Sequence, residues 1–154
     1  MYGLGQHQEG LFDLRGVPVR LSQANTNISI PFLLSSKGYG ILWNNASLTD
    51  FNPADQFIAI DPTTGKGKFT TGAKGIYGFV LTSDNKDRLV LSVNGQPVID
   101  LQNTWTPTTA SGVIALDANK EYEVSAQGGK GGVQLAVRPP PAQARQQPQP
   151  REAP

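Results

Sequence analysis

The sequence predicts an all-β protein: an antiparallel β-sandwich domain preceded by part of a second β-sandwich, with a disordered C-terminal tail. Three observations carry that expectation. Apolar and polar residues alternate with period two along most of the chain, and no stretch shows helical periodicity. Of the 154 residues 38% are hydrophobic and only 16% charged, with 17 Gly and 12 Pro, a balance suited to short strands and many turns. Asn94-Gly95 stands between two apolar runs, the strongest short-range signal for a hairpin, because both central residues tolerate positive φ.

The elements follow in order. The opening MYGLGQHQEGLFDLRG places Gly3, Gly5 and Gly10 within ten residues, the composition of tight turns and unusual backbone angles. NISIPFLLSS sets Ile28, Ile30, Phe32 and Leu34 on one face of an extended segment, and YGILWNN repeats the pattern through Tyr39, Ile41 and Trp43. The alternation assigns Trp43 to a core. FIAID comes next, and DPTTGKGKFTTG then supplies turn residues in quantity, marking a boundary between two units. Beyond it, IYGFVLTSD alternates through Tyr77, Phe79 and Leu81, RLVLSVNGQPVIDL forms the hairpin, and GVIAL and EYEVSAQ flank a polar DANK turn. Val133, Leu135 and Val137 close the series. The last sixteen residues hold six prolines and four glutamines, too little apolar surface to order themselves. The expected division is 1–56 as a partial sandwich, 57–72 as a linker or first strand, 73–138 as the complete sandwich, and 139–154 as the tail.

Composition also excludes several functions. A formal net charge of +1 without a Lys/Arg cluster gives no track for phosphates, so nucleic acid is not an expected partner. No apolar run approaches the roughly 20 residues of a membrane span. Zero cysteines rule out disulfides and argue against a zinc site. His7 is the single histidine, leaving no cluster for a metal and no Ser-His-Asp group. GGKGG at 128–132 lacks P-loop spacing and precedes a strand, so it reads as a turn. Neither a metal nor a cofactor is expected.

Two stretches resemble known families. YGLGQHQEGLFDLRG followed by QANTNISIPFLLSSKGYGILWNN resembles the end of the N-terminal β-sandwich of glycoside hydrolase family 31, most closely its α-xylosidase branch. GIYGFVLTSDNKDRLVLSVNGQPVIDLQNTW resembles the carbohydrate-associated domain first described in anthrax protective antigen. Some α-xylosidases carry that domain inserted after the GYGIL strand, and the same order occurs here. The resemblance implies that the chain is a fragment of a larger enzyme, one working in the bacterial periplasm or outside the cell. It departs from the pattern at Asp84-Asn85-Lys86, where the inserted domain usually has Asp-Asp-Gly. A lysine in place of that turn's glycine opposes the calcium that such a turn helps to bind elsewhere in the superfamily.

The common glycosidase mechanism needs two carboxylates about 5 Å apart in retaining enzymes. Family 31 places both on a (β/α)8 barrel of about 250 residues, for which this chain has neither the length nor the WxDMNE motif. The expectation is therefore no catalytic residue and no activity of the chain alone. For substrate contact the resemblance points to QANTN, whose loop in family members reaches over the barrel mouth. Asn25 and Asn27 carry both donors and acceptors suited to sugar hydroxyls or satisfy a turn. Trp105, in LQNTWTP, either stacks on a sugar or caps the sandwich. The expected partners are an oligosaccharide or polysaccharide and the parent's catalytic barrel, with xyloglucan oligosaccharides as the model substrate. The alternatives are an autonomous carbohydrate-binding or adhesion module, and a structural interaction domain without sugar affinity.

Overall fold

Strands make up all the regular structure that the computed structural model describes, over residues 1–7, 10–23, 28–44, 47–83, 88–102, 108–127 and 132–141. Every strand pairing is antiparallel. The all-β expectation holds. The proline- and glutamine-rich tail from residue 142 onward lies outside the described residues.

The first unit is a three-stranded sheet in the order β1-β3-β4, with β1 at Tyr2–Gln6, β3 at Ile28–Ser35 and β4 at Tyr39–Leu42. A two-stranded ribbon of β2 (Val19–Leu21) and β5 (Thr49–Phe51) accompanies it. Arg20 Nε donates to Asp50 Oδ1 at 2.7 Å across that ribbon. The opening glycines have a local cause. The register of β1 on β3 slips between Gly3 and Gly5, and Gly3, Leu4 and Gly5 all have positive φ. A Cβ on Gly3 would stand 2.5 Å from the Phe32 carbonyl oxygen, and one on Gly5 would overlap the Ile28 carbonyl. Only glycine lets the two backbones approach so closely. The slip turns Leu4 inward, where it is fully buried with Leu14, Val17, Leu21 and Leu33. Trp43 is half-buried against the same cluster, in keeping with its assignment to a core. Asn52 Nδ2 donates to the carbonyls of Leu14 (3.2 Å) and Val17 (3.0 Å), fastening the 14–17 segment over it.

The second unit stacks two four-stranded sheets. One runs β11-β8-β13-β6, the other β10-β9-β12-β7. Their strands are β6 (Gln56–Ile58), β7 (Lys66–Thr70), β8 (Gly75–Ser83), β9 (Leu89–Val93), β10 (Gln96–Leu101), β11 (Thr108–Leu116), β12 (Glu121–Gln127) and β13 (Val133–Arg138). The alternating residues of β8, Tyr77, Phe79 and Leu81, are buried between the sheets with Leu89, Leu91, Val93, Val124 and Leu135. Phe69 joins them from β7, with its ring 5.6 Å from Phe79 and 5.9 Å from Tyr122. The Asn94-Gly95 hairpin is present, with φ of 45° and 78° at its two central residues, as a type I′ turn requires. The DANK turn joins strands of different sheets, because β11 pairs with β8 while β12 pairs with β7 and β9. It is a corner of the sandwich rather than a hairpin.

The two units touch through the outer face of the β8–β11 pair. A Cβ on Gly78 would overlap the Gly16 carbonyl and lie 2.7 Å from Pro18 Cδ. Val113, opposite Gly78 in the ladder, packs on the first unit's cluster. Glycine at 78 thus gives the 14–18 segment a seat on the sandwich.

Candidate functional site

Asn25 and Asn27 fall in the stretch 24–27, between β2 and β3, and Trp105 in the stretch 103–107, between β10 and β11; all three lie outside the described residues. So does the Asp84-Asn85-Lys86 turn. The base of the Asn25/Asn27 loop is described. Ser29 donates its backbone N–H to Gln23 Oε1 at 3.1 Å and its hydroxyl to the Ser22 carbonyl at 2.9 Å. Those two bonds join the strand ends from which the loop springs.

Most of the described carboxylates form ion pairs. Asp13 meets Arg15, Asp50 meets Arg20, Asp100 meets Arg88, Glu121 meets Lys68, and Glu123 meets Lys66. The Arg15 guanidinium is the main reason that the Asp13 carboxyl falls to about 2. Hydrogen bonds from Arg20, Arg88 and Lys120 likewise hold Asp50, Asp100 and Asp117 below the usual carboxylate range, and backbone N–H groups of Thr64 and Thr63 do so for Asp61. A glycosidase's general acid needs the opposite displacement, upward, so that it stays protonated at working pH. His7 Nε2 lies 3.0 Å from the Leu4 carbonyl and must donate to it, since a carbonyl only accepts; this ties the histidine to the backbone of β1. Among the described residues no three His, Asp or Glu side chains gather at one point.

Two surfaces remain. The first is the outer face of β3, where Ile28, Ile30, Phe32 and Leu34 are each 39% to 49% exposed and Leu42 of β4 beside them 71%. The register sets Tyr39 and Ile41 on the other face, beside Ser35 and Leu33, yet at the sheet edge both remain about half exposed. The second is a cleft of about 480 Å³ at one end of the sandwich, between Val93, Ile114 and Leu116 below and Lys74, Gln96 and Asp117 above. Its residues come from four separate stretches of chain. No local pattern announces it, because it exists only where the two sheets are stacked.

Comparison with known proteins bears on both halves. Residues 1–52 match the glycosyl hydrolase 31 N-terminal galactose mutarotase-like domain. An α-xylosidase of Saccharolobus solfataricus is 53% identical over 57 aligned residues, 31% of this chain and 8% of that protein. The curated relatives are thus each matched over less than a tenth of their length. A glycoside hydrolase 31 α-xylosidase from Xanthomonas citri superposes on 92% of this chain, using 22% of its own, at 20% identity and a TM-score of 0.61. The chain therefore shares the fold of a portion of that enzyme, across both units. A PA14 domain of the MpAFP antifreeze protein aligns with 47% of this chain and 40% of its own length at 18% identity and a TM-score of 0.33. Residues 1–52 thus match the family 31 N-terminal domain that the YGLG and IPF motifs led us to expect.

Proposed function

We propose, starting from the family 31 N-terminal sequence of residues 1–52, that this chain is a non-catalytic accessory part of an α-xylosidase-like glycosidase, supporting the binding of xyloglucan-type oligosaccharides. The observation that carries this reading is the bare apolar face of β3 with Leu42. Five large apolar side chains on one sheet surface are an interaction site in waiting, and in this reading the rest of the parent enzyme covers them. The downward displacement of the Asp13, Asp50, Asp61, Asp100 and Asp117 carboxyls supports the non-catalytic half of the proposal.

In this reading the second unit extends the substrate groove, Asn25 and Asn27 contact the sugar at the barrel mouth, and Trp105 serves long oligosaccharides or the stability of its own unit. A second reading, an autonomous carbohydrate-binding module, draws on the closed core of the second unit, which needs nothing from the first to bury Phe79 or Leu135. Turnover of an aryl α-xyloside by the 154-residue chain tests the proposal: none is expected at any pH. Turnover abolished by changing one of the chain's own aspartates overturns it. In a complete parent enzyme, Asn25→Ala or Asn27→Ala weakens substrate binding, whereas Trp105→Ala spares short substrates. Equal effects on short and long substrates would remove Trp105 from the groove.

A further inference from the structure

The cleft lies where the two sheets of the second unit part, at the end bounded by Gly75, Val93, Gln96 and Leu116. The described strand ends Ser83, Leu89, Leu101, Gln127 and Val133 lie at the opposite end of the sandwich from this cleft. Its volume of about 480 Å³ falls within the roughly 300–1,000 Å³ of small-molecule sites.

Each wall is held in place by bonds that do not involve a ligand. The turn at 117–120 is fastened to the end of β7: the buried Thr71 hydroxyl donates to the Asp117 carbonyl at 2.6 Å and accepts from the Lys120 N–H at 3.1 Å, and the Asp117 N–H donates to the Tyr122 hydroxyl at 3.1 Å. Tyr77 anchors the segment before Lys74 by donating its hydroxyl to the Ala73 carbonyl at 2.8 Å. Asn94 is gripped twice by Glu123, with N–H to carbonyl and Oδ1 to N–H both at 2.8 Å. A cleft built this way loses little conformational freedom when something enters it.

The polar groups at the rim share one chemistry. Asp117 carries a carboxylate between Lys120 Nζ at 2.7 Å and Lys74 Nζ at 3.4 Å. A carboxylate accepts from two neighbouring hydroxyls at once, and the flanking ammonium groups donate back to hydroxyl oxygens. The Gln96 amide is exposed and offers one acceptor and two donors. Tyr122 accepts from Asp117, which leaves its own hydroxyl proton to donate. Below lie the apolar side chains of Val93, Ile114 and Leu116, suited to the C–H faces of a sugar ring. Asp117 with Lys74 and Lys120 sets one carboxylate among two ammonium groups, so the rim presents acceptors and donors side by side, the pattern that hydroxyl groups match. We infer that this cleft is a binding site for an oligosaccharide, recognised by Asp117, Lys74 and Gln96 through vicinal hydroxyls. The inference deepens the carbohydrate-supporting role proposed above and rests on it.

Titration of the full chain with cellotriose and with maltotriose, followed by amide chemical shifts, is the test. Saturable shifts are expected at Lys74, Gln96 and Asp117, and Gln96→Ala and Asp117→Asn should each weaken the binding about tenfold. Gln96 is exposed, so its variant keeps the fold, and shift dispersion reports on both variants. Lys68→Ala, at an exposed ion pair outside the cleft, should leave this affinity unchanged. Binding that Trp105→Ala abolishes and both cleft variants spare overturns the cleft while leaving the carbohydrate reading intact. Absence of saturable shifts at the three cleft residues also overturns it. The aryl α-xyloside assay judges the accessory reading separately.

Discussion

The strand that opens the first sheet's apolar face and the strand that centres the sandwich are written in the same pattern and meet opposite fates. In β8, Tyr77, Phe79 and Leu81 alternate with smaller residues and disappear between two sheets. In β3, Ile28, Ile30, Phe32 and Leu34 alternate just as regularly and face outward. What is buried in β3 is the complementary set, with Leu33 and Ser35 turned toward the cluster around Leu4. Alternation tells which side chains share a face. Whether the face is covered depends on a partner layer, and that is a property of the assembly.

The difference can be broken or sharpened by mutation. The largest effect is expected from Phe79→Ala, which empties a fully buried site and should destabilise the second unit by about 3–5 kcal/mol. Phe32→Ala, on the bare face, should cost less than about 1 kcal/mol. Urea unfolding of both variants measures this, and similar losses would mean that the β3 face is covered in the isolated chain.

Gly5→Ala comes next. It combines a φ of 104° with a methyl group overlapping the Ile28 carbonyl, and a cost of roughly 1–3 kcal/mol is expected, confined to the first unit. Amide exchange in β1 and β3 should rise while β8 and β13 stay protected. A double substitution, Ile30→Lys with Leu42→Lys, should leave strand content unchanged and reduce binding of a hydrophobic dye, since both sites are exposed.

The smallest effect is that of acid, which should not distinguish the units. Asp13 and Asp50 lie in the first, Asp61, Asp100 and Asp117 in the second, and all five have depressed carboxyl pKa values. A carboxyl lower in the folded than in the unfolded state contributes stability above its unfolded pKa and loses it as pH falls through the folded value. For Asp13 that window runs from about 4 down to about 2. Urea midpoints at pH 5 and pH 2.5 should show the loss, and Asp13→Asn should make it smaller.

Much of the architecture was legible beforehand. The Asn94-Gly95 hairpin, the β8 core positions and the glycine-rich opening each rest on a local rule, since a turn's φ values or a strand's two faces are set within a few residues. The opening glycines were legible as special but not as to cause, because the carbonyls of Phe32 and Ile28 that require them lie more than twenty residues away. The DANK turn was legible as a turn but not as a corner for the same reason: four polar residues mark a reversal, while the sheet each flanking strand joins is decided by β7, β8 and β9. The cleft was not legible at all, its rim drawing Lys74, Gln96 and Asp117 together only through the stacking of two sheets.

The central claim is that the first unit is an open half-layer beside a closed sandwich, and hydrogen exchange on the intact 154-residue chain tests it most directly. Amides of β8, β9, β12 and β13 should exchange only through global opening of the second unit, and those of β3 and β4 through openings of markedly lower free energy. Protection of β3 and β4 equal to or greater than that of β8 and β13 would contradict the account.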